Sequence, residues 1–275
     1  MSFAFASVAR WTGRGLVCAL LALAGGAWAA TPVQLEDLTW TEVRGALAAG
    51  ETTVLIPIGG TEQSGPYLTL GKHNARARAL AERIARALGD ALVAPVVAYV
   101  PEGGIHPPTG HMRFPGTISV PAQVFEKTLE AAAESLRTHG FRTVVLLGDH
   151  GGYQDSLQRV ASRLNKAWAG SGARLLAPRA YYEASSTGFD ALLRERGYAA
   201  SEIGTHAALA DTSLQLAIAP GSVRREALAH ANAPGPGDGV YGGDPRRASA
   251  ELGQLGVDAI VARTVQAIRQ ERGGH

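Results

Sequence analysis

The sequence predicts a single α/β domain, with a mainly parallel sheet held between helical layers. Three observations carry that expectation. Short apolar runs alternate with long segments of helical period, two of the runs end at glycine-bearing loops, and no internal repeat or linker divides the chain. Strands joined by helical crossovers form a parallel sheet covered on both faces. Composition agrees. With 275 residues, 46% hydrophobic and 18% charged, there is apolar material for one large core or at most two small ones. A disordered chain would be poorer in apolar residues and more highly charged. One cysteine excludes a disulfide scaffold, and the scattered glycines and prolines exclude collagen-like repeats. A formal charge of +2 gives no ground for a nucleic-acid or anionic-membrane partner.

The elements follow in order. Residues 53–59 read as a buried strand ending in a glycine turn, and 74–88 as a helix with Ala, Leu and Ile on one face and Arg and Glu on the other, stopped by Gly89. Residues 91–100 read as the next strand, 101–116 as a Pro/Gly/His-rich loop and 117–120 as a further extended piece. A helix is expected over 124–139, closed by Gly140, and the clearest buried strand over 143–148. Residues 153–169 read as the following helix, 174–177 as the start of a strand, 214–218 as one more strand and 252–272 as a terminal helix. In such sheets ligands bind at loops beyond the carboxyl ends of the strands. The loops starting at Gly59, Pro101 and Gly148 all lie there.

The first 29 residues have the anatomy of a signal peptide: Arg10 and Arg14, an apolar stretch over 16–24, then Ala27-Trp28-Ala29 as a small-x-small cleavage site. The apolar stretch is about half the length that spans a bilayer, and an uncleaved anchor is the alternative. Cleavage after Ala29 would leave residues 30–275 as an exported domain, periplasmic or secreted, with no membrane attachment. Cys18 would be lost, leaving 24 basic residues against 24 acidic ones. Any metal site in that domain must use His, Asp and Glu.

Three polar segments meet that requirement. They are residues 59–74, with Glu62 and His73; residues 148–153, with Asp149 and His150; and residues 204–213, with His206 and Asp211. Glu62, His73 and His150 would form a two-His-one-carboxylate set of the type that holds a catalytic divalent ion with a position open for water. Each could instead be a turn or cap residue.

These segments resemble the creatininase family of metal-dependent hydrolases. The family stretch Gly-x-x-Glu-Gln-His-Gly-Pro-His-Leu-Pro-Leu-Gly-x-Asp is matched by residues 59–73, with Glu62-Gln63-Ser64-Gly65-Pro66 at its centre. His-x-x-Phe-Pro-Gly-Thr is intact from His111 to Thr117, and the Gly-His-Gly-Gly turn appears as Gly148-Asp149-His150-Gly151-Gly152. His206 to Ser213 matches His-Ala-Gly-x-x-Glu-Thr-Ser, and a glycine-rich segment ends in Gly243-Asp244-Pro245. The resemblance implies a creatininase-like fold, a homo-oligomer, commonly a hexamer, and a small-molecule substrate. In the family the glutamate, the motif's first histidine, the aspartate after Leu-Gly and the turn histidine bind two metals, with the aspartate bridging them. Here the first histidine is Ser64 and the bridging aspartate is His73. An imidazole cannot bridge two ions as a carboxylate does, so one divalent ion is expected. Zinc is preferred, and manganese or nickel also fit.

The expected ligands are Glu62, His73 and His150, with Asp211 as a fourth ligand or a partner behind them. Glu62 and His206 are the expected catalytic residues, His206 as the acid/base that passes a proton to a leaving nitrogen. The resemblance leaves His111 to position a loop, Asp149 to orient the His150 imidazole and Tyr153 to contact substrate. The implied activity is hydrolysis of an amide or cyclic-amide C–N bond through a metal-activated water, on a substrate the sequence does not name. A metal-free binding protein on the same scaffold and a hydrolase of another bond class are the alternatives.

Overall fold

A computed structural model describes residues 1–4 and 32–273. Apart from its first four residues, the expected signal peptide lies outside the described residues, and so does Cys18. The chain from Pro32 onward forms one compact unit.

Helix α1 (Trp40–Ala48) starts at a capping box in which the Thr39 hydroxyl accepts from the Glu42 N–H while the Glu42 carboxylate accepts from the Thr39 N–H. Strand β1 (Thr53–Ile58) is buried at all six positions. Helix α2 (Lys72–Leu88) leads to β2 (Ala91–Val93), α3 (Ala122–Thr138) to β3 (Thr143–Gly148), and α4 (Gln154–Ala167) to β4 (Arg174–Leu176). All pairings are parallel and the sheet order is β2-β1-β3-β4, with Thr53 opposite Thr143 through Ile58 opposite Gly148 at its centre. Successive strand residues face opposite sides. Val54, Ile56 and Ile58 therefore pack with Phe125 and Leu129 of α3 and Val160 of α4, while Leu55 packs with Leu80 and Ile84 of α2. Burial of both faces is why β1 and β3 run on without polar side chains after their first threonines.

Beyond β4 come α5 (Arg179–Glu183), a π-helical turn over Ala184–Gly188, α6 (Phe189–Glu195) and α7 (Ala200–Ile203). Strand β5 (Gly204–His206) pairs antiparallel with β6 (Tyr241–Gly243), and between them lie α8 (Leu209–Ile218) and α9 (Arg225–Ala229). The chain closes with α10 (Ala250–Gly273).

The expected fold class is the one observed, with three local corrections. The strand expected over 91–100 ends at Val93, and past Pro95, which has no N–H to donate, the chain makes only an isolated pairing of Val97 with Ile58. The extended piece at 117–120 is reduced to a single bridge from Ile118 to Thr61. Residues 214–218 are not a strand but the end of α8. Their apolar run is buried because α8 is enclosed, Leu214 in the core that includes Val257 and Ile260 of α10, Leu216 in a separate cluster. Helix and strand are hard to separate by period over so short an apolar run.

The α8–α10 crossing depends on glycine. A Cβ on Gly253 would collide with the Ser213 carbonyl, and one on Gly256 would press on Leu214 and Phe189. Gly253→Ala is therefore expected to destabilise the protein by about 1–3 kcal/mol through overpacking. Gly45→Ala, in the exposed part of α1 where a Cβ meets nothing, should stabilise by about 0.5–1 kcal/mol. Denaturant unfolding of the two variants checks the pair.

Candidate functional site

The carboxyl ends of β1 and β3 and the loop after Pro101 converge on a cavity of about 470 Å³, closed on the far side by β5, β6 and the start of α8. The β1 loop is pinned there by three bonds. The Glu62 N–H donates to the Leu70 carbonyl (3.1 Å), the Gln63 N–H to the Thr117 hydroxyl (3.0 Å), and the Asn74 side chain accepts from the Gly60 N–H (3.0 Å). Glu62 is thereby delivered fully buried.

The floor of the cavity is a closed ring of alternating charges. Glu62 Oε1 lies 2.8 Å from His73 Nε2, and His73 Nδ1 lies 2.6 Å from Asp149 Oδ2. Arg76 connects Asp149 (Nε, 2.8 Å) to Asp211 (Nη1, 2.9 Å). Lys72 Nζ then joins Asp211 Oδ2 (2.8 Å) back to Glu62 Oε1 (3.5 Å). The three cations come from the first turns of one helix, where Lys72, His73 and Arg76 follow Gly71. The positive end of a helix dipole disfavours cations. Three carboxylates, from β1's loop, β3's end and α8, offset it.

The ring sets the protonation of its members. Burial pushes the Glu62 and Asp211 carboxyls up, but His73 and Lys72 outweigh it at Glu62, and Lys72 and Arg76 at Asp211, holding both well below the usual range. At Asp149 the opposing pull comes from Arg76 and His73, and the carboxyl is again lowered. Burial and the Lys72 charge act to lower His73, yet Glu62 and Asp149 prevail and it is raised. Asp211 also accepts from the Ala207 N–H (2.8 Å), which holds Ala207 in the left-handed region at φ 53°.

Glu62 presents its other oxygen away from the ring. Oε2 is buried without a hydrogen-bond partner, 3.1 Å from His111 Nε2 and 3.6 Å from His150 Nε2. One ligand atom from each of the three residues lies within 4.8 Å of the others, and this is the one such group found among the described residues. Burial lowers His111, and lowers His150 to about 4, so both imidazoles are neutral near pH 7 and each can offer a lone pair. An orphaned carboxylate oxygen facing two neutral imidazoles is a donor set that suits zinc.

His206 lies in the cavity wall. Its Nε2 donates to the Gln63 carbonyl (3.0 Å) and its Nδ1 faces Lys72 Nζ at 3.5 Å. Burial and the Lys72 charge push it down to about 3, so it is a neutral imidazole in this setting.

The structure divides the ligand set read from the sequence between the three-residue group and the ring. Glu62 and His150 fall in the three-residue group, whereas both nitrogens of His73 and both oxygens of Asp211 are committed to the ring. His111, expected to position a loop, takes the third place. Asp149 does not reach His150; it accepts from His73, Arg76 and the Tyr181 hydroxyl (3.0 Å). Tyr153 is buried rather than open to substrate, its hydroxyl donating to the Ile58 and Gly59 carbonyls and accepting from the His150 N–H. Ser64 turns its hydroxyl to the Glu62 carbonyl (3.4 Å). Lys72, Arg76 and Glu102 were not singled out. Lys72 and His73 sit at the departure from the Gly-x-Asp pattern, and Glu102 directly follows a strand-end loop's first proline, which were the available signals.

A parallel sheet covered on both faces, with a histidine–carboxylate cluster beyond its strand ends, places these polar groups where open α/β sheets bind ligands. The creatininase profile, described as creatinine amidohydrolase, matches residues 36–268, and the chain belongs to that family. It is 27% identical to the creatinine amidohydrolase of Pseudomonas putida over 263 residues, 87% of this chain and 97% of that one. It is 34% identical over 116 residues to a mycofactocin precursor peptide peptidase of Mycolicibacterium smegmatis, covering 40% of this chain and 44% of the peptidase. A crystal structure of creatinine amidohydrolase superposes with a TM-score of 0.70 at 25% identity, over 89% of this chain and 100% of the other. The solved relatives include a manganese form and a zinc–zinc form.

Removing one member of a buried ring leaves its partners uncompensated. Lys72→Met, which keeps the volume and removes the charge between Glu62 and Asp211, is expected to cost about 3–5 kcal/mol. Denaturant unfolding of metal-free protein measures it, and a loss under about 1 kcal/mol would show that the ring does not hold the site together.

Proposed function

We propose that the protein is a hydrolase of amide or cyclic-amide C–N bonds in a small molecule, using one divalent ion held by Glu62, His111 and His150. The buried Glu62 Oε2, without a partner and facing two neutral imidazoles, carries this reading. Zinc is the preferred ion, with manganese or nickel as alternatives. When bound, such an ion acidifies a water and polarises a carbonyl. The names of the relatives, an amidohydrolase and a peptide peptidase, support C–N bonds as the class. Export through residues 1–29 and a homo-oligomeric state belong to the same proposal.

The chain's own groups take defined parts. Glu62 is held by His73 and Lys72 through Oε1, so Oε2 keeps its aim and cannot rotate away. Lys72, with His206 beside it on the cavity wall, offers a fixed positive charge to an oxygen that becomes more negative as a carbonyl is attacked. His206, neutral and anchored on Gln63, can accept a proton at Nδ1 only against the Lys72 charge. Its first part is therefore to orient, and a proton reaches it only once substrate has screened that charge.

One ion, not two, follows from the ring, because Lys72, His73 and Arg76 already supply three cations to the three carboxylates Glu62, Asp149 and Asp211. The same balance favours the second reading, a metal-free binding protein. Metal analysis of the protein, purified without chelator, decides. About one ion per chain is expected, lost in His150→Ala and nearly unchanged in Ser64→Ala, with chelator abolishing amide hydrolysis. Two ions per chain would contradict the one-ion site, and none would establish the binding-protein reading.

A further inference from the structure

We propose that Asp190 is a specificity-determining residue, and that the substrate is an amide carrying a cationic nitrogen, a protonated amine or amidinium, outside the bond that is cut. The inference deepens the hydrolase reading and rests on it.

Besides the histidines, five charged side chains line the cavity: Lys72, Arg76, Asp149, Asp190 and Asp211. Four of them belong to the ring and are held by neighbours of opposite sign. Asp190 differs. It is half-buried, and among the described residues its carboxyl makes no hydrogen bond and no ion pair. Burial pushes that carboxyl up, the Arg194 charge one turn on draws it back, and the Asp211 charge raises it again. A cation arriving from the cavity would relieve both burial and the repulsion from Asp211.

The π-helical turn Ala184–Gly188 brings Asp190 to this wall. Tyr182, Ser186 and Asp190 all line the cavity. Eight residues of plain α-helix would carry the last of them about 80° round the axis from the first, and the wider turn between them keeps all three on one side. The other polar groups of the turn are spent on backbone. The Ser185 and Ser186 hydroxyls donate to the Tyr182 carbonyl (2.9 and 2.7 Å), and the Thr187 hydroxyl donates to the Glu183 carbonyl (3.3 Å). Asp190 is thus left as an open acceptor of charge-assisted hydrogen bonds. Tyr182 and Tyr241 line the same cavity, and aromatic rings suit a cation better than an anion. An anionic substrate would meet only ring cations that are already engaged.

The test is calorimetric titration of the protein, purified without chelator, with β-alaninamide and its longer homologues, each protonated at the amine. Each is paired with the neutral amide in which a methyl replaces the ammonium. The best cationic amide is expected to bind about 10-fold more tightly than its neutral match. Asp190→Asn should bring the cationic amide down to the neutral one and leave the neutral one unchanged, while Asp190→Glu should keep part of the preference. A misfolded variant would lose both ligands together, and the wild-type comparison needs no variant to fold. Absence of a cationic preference at every length, or a preference that survives in Asp190→Asn, would overturn the assignment. Metal content of the same samples reports on the hydrolase reading, so the two fail separately.

Discussion

The site is organised by a buried, closed circuit of charge: Glu62, His73, Asp149, Arg76, Asp211 and Lys72, each touching two neighbours of opposite sign. Taking an ion out of water costs several kcal/mol, and a single partner seldom repays it. A ring gives every member two partners, so no carboxylate is left with an uncompensated charge. It also joins four parts of the fold that are remote in sequence: the loop after β1, the start of α2, the end of β3 and the start of α8. The cavity exists because these four ends are fastened together at its floor.

The ring divides Glu62 between two tasks. Oε1 closes the circuit, while Oε2 is left facing His111 and His150 without a hydrogen-bond partner. The creatininase pattern places a carboxylate at position 73 to bridge two ions. This chain places His73 there, between two carboxylates that raise its pKa, with Lys72 beside it. Cationic side chains from one helix thus stand between the carboxylates of the ring, and Oε2 is the Glu62 oxygen that the ring does not engage. His206 follows from the same cause, since its neighbour Lys72 keeps it neutral.

Much of this architecture was legible in the sequence. The central strands were plain because burial on both faces leaves them without polar side chains after their first threonines, and α2 because Ala77, Leu80, Ala81, Ile84 and Ala85 recur at helical spacing. Residues 91–100 misled because the pattern does not register that Pro95 ends the ladder. The helices between β4 and β5 went unread because a π-helical turn interrupts their period. In the site, Glu62 and His150 stood out as ligand types on strand-end loops. Arg76 did not, since an arginine on an amphipathic helix normally marks the solvent face, and only the tertiary fold turns it onto Asp149 and Asp211. Spacing in sequence also cannot say which oxygen or nitrogen of a side chain is already engaged, and that decides between ring and ligand for His73 and Asp211.

The most direct measurement is a crystal structure of zinc-loaded protein with anomalous data collected at the zinc edge. A single peak enclosed by Glu62, His111 and His150, with Lys72 Nζ still between Glu62 and Asp211, is the predicted result. A peak coordinated by His73 or Asp211, or a second peak in place of the Lys72 ammonium, would contradict the charge ring as the organising feature of the site.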